Sequence, residues 1–208
     1  MSMPVRGLAR RLWPLAAAAL LSACAATAPP EETSDICEIF REKDGWYEEA
    51  KAAADRWGTP IQVQLAIIHQ ESSFHGKAKP PRNRLLWVIP WTRSSSAYGY
   101  TQALDSTWDW YKRESGNGWA SRDDFGDAAD FVAWYANVSN RMLGISKWDA
   151  YSQYLAYHEG QTGFERGTYA GKTWLKRVAN RVQARAERYG GQLRGCREEL
   201  ESGGWWPF

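Results

Sequence analysis

Thr59-Pro60-Ile61-Gln62-Val63-Gln64-Leu65-Ala66-Ile67-Ile68-His69-Gln70-Glu71-Ser72-Ser73-Phe74 is the segment from which the architecture follows. Thr59 can cap a helix, and Pro60 suits a first turn, where a missing N–H leaves no bond unmade. Ile61, Leu65 and Ile68 recur at helical spacing, and Ala66 and Ile67 widen the apolar face. A helix apolar on that many sides belongs in the centre of a domain. It ends at Glu71, and a stretch rich in Lys, Pro and Arg follows at once. A carboxylate at such a junction has hydrocarbon behind it and open space in front. Burial against apolar groups disfavours the charged form, so this Glu can hold its proton near neutral pH and act as a general acid. Taken alone, the segment also allows a solvated Glu at a helix end, and the rest of the chain has to choose between the two.

The neighbouring segments keep the helical period. Trp46, Tyr47, Ala50, Ala54 and Trp57 predict a helix that Gly58 stops. Residues 77–96 contain Pro80, Pro81 and Pro90 and read as a loop. Asp105 or Ser106 caps a short helix through Trp108 and Tyr111, broken by Ser115-Gly116-Asn117-Gly118. Asp127 starts a longer one with Ala128, Phe131, Val132, Tyr135, Val138 and Met142 in phase, up to Gly144. Another runs from about Lys147 to Glu159, with Trp148, Tyr151, Tyr154 and Leu155 inward. The last spans roughly Lys172 to Tyr189, with Trp174, Leu175, Val178, Val182 and Ala186 on one face. No alternating strand pattern and no internal repeat stands out, so the expected fold class is all-α.

Three segments bear on Glu71: Glu71-Ser72-Ser73-Phe74, Tyr98-Gly99-Tyr100-Thr101-Gln102 and Ala156-Tyr157-His158-Glu159-Gly160, each at a predicted helix boundary. In this order they resemble the motifs of the lysozyme-like lytic transglycosylases of the soluble (SLT) type, over roughly residues 44–190. The first matches that family's Glu-Ser-x-aromatic motif. The second matches Gly-Leu-Met-Gln at Gly99 and Gln102 only. The third matches Ala-Tyr-Asn-Ala-Gly at Ala156, Tyr157 and Gly160. The run from Lys172 to Val178 resembles, more loosely, the Thr-x-x-Tyr-Val start of a later helix. The resemblance implies a lysozyme-like helical domain, akin to SLT and goose-type lysozyme domains, with a central catalytic helix.

It also implies roles. Glu71 takes the catalytic acid/base position. Ser72 lies close to it, Gln102 lies beneath the scissile bond, and the Tyr157 hydroxyl approaches the catalytic carboxyl. Ser73 and His158 are expected to join these three at the substrate. The residues by themselves leave plainer readings open: a helix-capping Ser, an exposed Gln, a core Tyr with a satisfied hydroxyl. The chain departs from the family in three places. His158 and Glu159 replace Asn and Ala. Tyr100-Thr101 replaces Leu-Met, which should alter the floor of the site. Gly99 follows Glu71 by 28 positions, longer than usual. The extra piece, residues 84–96 with Leu85-Leu86-Trp87-Val88-Ile89 at its head, is too apolar for an idle loop. It roofs the cleft, meets a membrane, or packs as satellite core.

The implied substrate is the glycan strand of peptidoglycan, and the implied reaction is cleavage of the MurNAc–GlcNAc β-1,4 bond to give 1,6-anhydromuramoyl ends. Two carboxylates are the commoner arrangement in glycoside cleavage. Glu159 or Asp105 as a secondary acid would therefore make the protein a hydrolase resembling goose-type lysozymes. A third reading is an inactive, lipid-anchored protein that binds peptidoglycan or serves as a scaffold. An adaptor role through Trp205-Trp206-Pro207-Phe208 rests on the apolar tail alone.

The ends of the chain speak to location. Residues 1–23 carry Arg6, Arg10 and Arg11 followed by the apolar run Leu12–Leu21. Ten residues fall short of the ~20 that span a bilayer, so the segment reads as an export signal. Leu21-Ser22-Ala23-Cys24 resembles the lipobox of bacterial lipoproteins. That implies cleavage before Cys24, acylation of this residue, and a membrane contact through it. Ala25 after the Cys favours the outer membrane, facing the periplasm. Residues 24–34 then form a tether, 35–197 the domain and 198–208 an apolar tail. With Cys24 lipidated, Cys37 and Cys196 remain, in a chain bound for an oxidising compartment. They form either a disulfide tying the ends or two separate buried thiols. The formal charge is +2, and −1 without residues 1–23, which hold three Arg and no acid. No basic block then remains to bind nucleic acid. His69, His75 and His158 follow no zinc spacing, and neither metal nor cofactor is expected. Protein partners are unspecified.

Overall fold

The computed structural model describes residues 28–80, 82–85, 89–93 and 96–202, the strand residues 82–85 and 89–93 by their backbone. In chain order the elements are α1 (Ile36–Glu42), α2 (Trp46–Trp57), α3 (Ile61–Ser72), β1 (Arg82–Leu85), β2 (Ile89–Arg93), α4 (Asp105–Ser115), α5 (Phe125–Leu143), α6 (Ala150–Glu159), α7 (Gln161–Glu165) and α8 (Thr173–Glu201). The domain is all-α apart from one antiparallel hairpin, in which Arg82 pairs with Arg93 and Leu85 with Ile89. That hairpin lies in the stretch read as loop. Its strands are too short to leave an alternating signature. Residues 1–27, which hold the expected export signal and Cys24, and residues 203–208 lie outside the described residues. No helix among the described residues is long and apolar enough to cross a membrane.

α3 is the axis. Ile61, Val63, Leu65, Ala66, Ile67 and Ile68 are buried, and the helix packs against α2, α5, α6 and α8. Even Gln64 is fully buried, and its amide satisfies the Ala50 and Thr59 carbonyls at 3.2 and 2.8 Å. A polar side chain is tolerated at that depth because its donors find partners. Beside α3 runs α5, capped by the Asp124 side chain on Asp127 N and buried from Phe125 to Ser139 on most sides. An aromatic cluster seals the α2–α5 seam: Trp46 stacks on Phe125 at 3.7 Å, with Tyr100 edge-on at 5.8 Å. Each such ring removed from water contributes on the order of 1.5–3 kcal/mol.

α8 outruns its predicted end by a dozen residues. Gly190-Gly191 reads as a stop, yet the helix continues and buries Leu193 and Cys196 beyond it. Gly190 is a packing residue: a Cβ there would come within 3.3 Å of the Gln62 side chain on α3, so its absence lets the two helices close up. At the far end a Cys37–Cys196 disulfide joins α1 to α8 across 159 residues. Arg41 grips Glu199 with two bonds of 2.8 and 2.6 Å. Residues 198–201 therefore belong to the helix and not to a tail. Residues 30–34, expected to be part of a tether, pack on the domain: Pro30 is buried, the Tyr189 hydroxyl donates to the Thr33 carbonyl, and Gln192 bonds the Ser34 carbonyl at 3.2 Å. Three predicted core residues face solvent instead, Met142, Trp148 and Trp174 at 61, 67 and 50 % exposure. Asp149 caps α6 through Ser152 N, which leaves Trp148 before the helix, and Leu175 takes the inward place beside Trp174.

Candidate active site

α3 stops abruptly. Ser73 and Phe74 both adopt left-handed backbone, with φ of 49° and 61°. Such conformations cost of order 1–3 kcal/mol each outside glycine, and the surroundings must hold them. Phe74 supplies the hold: it is fully buried, with His69 edge-on at 5.5 Å and Trp46 at 5.9 Å. The reversal turns the chain off the helix and leaves the Glu71 carboxyl at the floor of a groove.

A second turn meets the first. Gly99 has φ 76°, and a Cβ on it would fall 2.0 Å from the Arg122 carbonyl oxygen, so only glycine fits. Gln102, also left-handed at φ 51°, donates its amide to the Ala78 and Gly99 carbonyls at 3.0 and 2.8 Å. It thereby fastens the segment after α3 to the turn before α4. From the other side comes α6. The Tyr157 hydroxyl donates to the Thr101 carbonyl at 2.7 Å. One turn earlier, the Tyr154 hydroxyl approaches the Glu71 carboxyl and favours its charged form.

The groove has two chambers that share Glu71 and Gln102. One, of about 570 Å³, is walled by Leu104, Phe131, Tyr135, Tyr157 and His158. The other, of about 680 Å³, is walled by Ser72, Ser73, His75, Lys77, Lys79 and Pro80. Glu71 is half-buried where they join. Removal from water is the larger influence on its carboxyl and Tyr154 the smaller opposing one, and together they push its pKa up to about 7. Burial, then the nearby Glu71 charge, holds the Tyr157 hydroxyl well above its ordinary value. A family model described as Transglycosylase SLT domain matches residues 12–196. The chain belongs to the transglycosylase SLT domain family. No curated protein matches it. Membership carries the lysozyme-like all-α fold, peptidoglycan as the polymer bound, and activity of the lytic transglycosylase type.

Around this SLT groove, Glu71, Gln102, Tyr157, His158 and Glu159 line one chamber, and Ser72 and Ser73 line the other. Ser72 back-bonds to the Ile68 carbonyl at 3.2 Å, while Ser73 is exposed at the helix end. His158 bonds Glu159 through Nδ1 at 2.9 Å and sets its ring edge-on to Trp174 at 5.3 Å. Glu159 differs from the expected secondary acid. Its carboxylate is 4 % exposed and is held by Lys172 at 2.7 and 2.8 Å, by the Thr168 hydroxyl and by His158. The Lys172 bond leads these in pulling its pKa down to about 2, which leaves it no proton to give near neutrality. Asp105 instead pairs with Arg122 at 2.7 Å, outside the groove lining. Tyr100 and Thr101 are buried and absent from the groove lining, so the side chains that stand in place of Leu and Met do not form its floor. What Thr101 gives the site is its backbone carbonyl, the acceptor for Tyr157. Among the described residues no group of three or more His, Cys, Asp or Glu could hold a metal ion. The sequence placed Tyr154 with the core; its spacing of three from Tyr157 was the available signal that both share a face.

Proposed function

We propose that the protein cleaves the MurNAc–GlcNAc β-1,4 bond of peptidoglycan with Glu71 as its single acid/base, leaving 1,6-anhydromuramoyl ends. One observation carries the reading: Glu71 is poised at about 7 in a groove whose other acidic wall residue, Glu159, is locked in its charged form. Glu71 donates its proton to the bridging oxygen as the bond to muramoyl C1 breaks. The muramoyl 2-acetamido group shields the positive charge at C1. Glu71, now a carboxylate, removes the proton of the muramoyl C6 hydroxyl, whose oxygen closes onto C1. Water is neither consumed nor released. A group that gives and then takes a proton works best with a pKa near the working pH.

Digestion of purified sacculi tests this by mass spectrometry of the products. Anhydromuramoyl ends are expected, and reducing ends would make the protein a hydrolase. Glu71→Gln is expected to keep the fold and lower turnover by about 10²- to 10⁴-fold, the usual contribution of a positioned acid/base. A variant that retains its activity would overturn the role of Glu71. Anchoring through acylated Cys24 in the outer membrane, facing the periplasm, is part of the same proposal. It is supported by the Leu21–Cys24 pattern and by a disulfide suited to an oxidising compartment. Labelling with radioactive palmitate should mark the wild type and not Cys24→Ala.

A further inference from the structure

The two chambers differ in charge. The one on the Ser72 side carries Lys77, Lys79 and His75, with Glu71 as its one acidic wall residue among those described. Lys79 Nζ stands 5.1 Å from the Tyr98 ring centre. The Ser121 hydroxyl chiefly holds the Asp123 carboxyl below its ordinary range, and Lys77 lies near enough to add a smaller pull. Asp123 is already bonded by the Ser121 hydroxyl and by the Tyr98 hydroxyl at 3.1 Å. Among the described residues neither lysine has a carboxylate within ion-pair distance. The chain reinforces the bias: Ser72 to Leu104 contains five Lys and Arg and no acid, in a protein whose overall charge is only +2. A cleft lined by one sign of charge gathers ligands of the other. The opposite chamber is walled by Leu104, Phe131, Tyr135 and Tyr157 and has no Lys or Arg among its described wall residues.

We propose that the lysine chamber binds the carboxylates of the acidic peptide that branches from the muramoyl residue, so that glycan strands bearing their peptides are preferred over bare ones. This rests on the glycan cleavage proposed for Glu71. The branch leaves the same muramoyl ring whose C1 is attacked, so the peptide starts one ring away from the Glu71 carboxyl. A cavity that shares Glu71 with the opposite chamber is where it can enter. Lysine suits the task, because a point charge on a flexible stem tolerates carboxylates at several positions.

The test compares kcat/KM on peptide-bearing strands and on strands stripped by an amidase, for wild type and for the Lys77→Ala/Lys79→Ala double variant. Two exposed charge pairs together amount to about five- to tenfold. The wild type should favour peptide-bearing strands by that ratio at low salt, and less at high salt as the charges are screened. The ratio should fall towards one in the alanine variant and persist in Lys77→Arg/Lys79→Arg. A wild type that cleaves both strands equally, or an alanine variant with an undiminished ratio, overturns the proposal alone. A wild type that cleaves neither overturns the glycan-cleavage reading and this one with it.

Discussion

Because the Glu71 carboxyl stays protonated up to about pH 7, kcat/KM should fall on the alkaline side of that value, as expected when a required acid loses its proton. Tyr154→Phe removes the hydroxyl that favours the charged form, so the alkaline limb should move to higher pH, a shift that initial rates across pH would reveal. The same carboxyl costs stability. Unfolded, it titrates near 4.5, and folded, near 7. The folded state therefore holds the proton through that window, and stability declines as pH rises from about 4.5 to about 7. Glu71→Gln cannot ionise. It should match the wild type at pH 4 and exceed it at pH 8 by about 1–3 kcal/mol, read from urea unfolding at each pH. The position of Glu71, at the end of a buried helix and beside a groove, was legible because an unusually apolar helix ends close to it. The Tyr154 contact was not, since helical period tells which face a residue occupies and not how far its hydroxyl reaches.

The helices of ten residues or more were all legible; the shorter ones, and one boundary, show where local pattern fails. α1, with 7 residues, is too short to display a period, and α7 is shorter still. α8 passes a glycine pair because contact with α3 outweighs the weak propensity there. The glycine at position 99 makes the opposite point. Its motif match could be seen in the chain, but the reason for it, a carbonyl 2.0 Å from any Cβ, lies 23 residues away at Arg122. Gly99→Ala combines left-handed backbone with that overlap and should cost about 2–4 kcal/mol. Because Gln102 is tied to the same turn, the variant should also lose activity at temperatures where it remains folded. Thermal unfolding followed by an assay below the transition would separate the two effects.

The Cys37–Cys196 bridge closes most of the helical domain into one loop. Removing a native disulfide of this kind costs about 2–5 kcal/mol. Reduction, or the double Ser variant, should therefore lower Tm by roughly 5–20 °C in a chain of this size, as calorimetry with and without reductant would record. Pairing was one of two readings the sequence allowed, and it rested on setting Cys24 aside for lipidation in a chain bound for an oxidising compartment. The groove could not be read from the sequence, because its walls come from α3, α5, α6 and two intervening turns that meet only in three dimensions. The β1–β2 hairpin shows what such convergence permits. It departs just after Pro80, in the wall of one chamber, and the chain returns at Ala97, in the wall of the other. Both of its attachment points therefore stand at the groove, one beside each chamber. A hairpin rooted on the two banks of a cleft is placed to set how wide the way in to Glu71 stands.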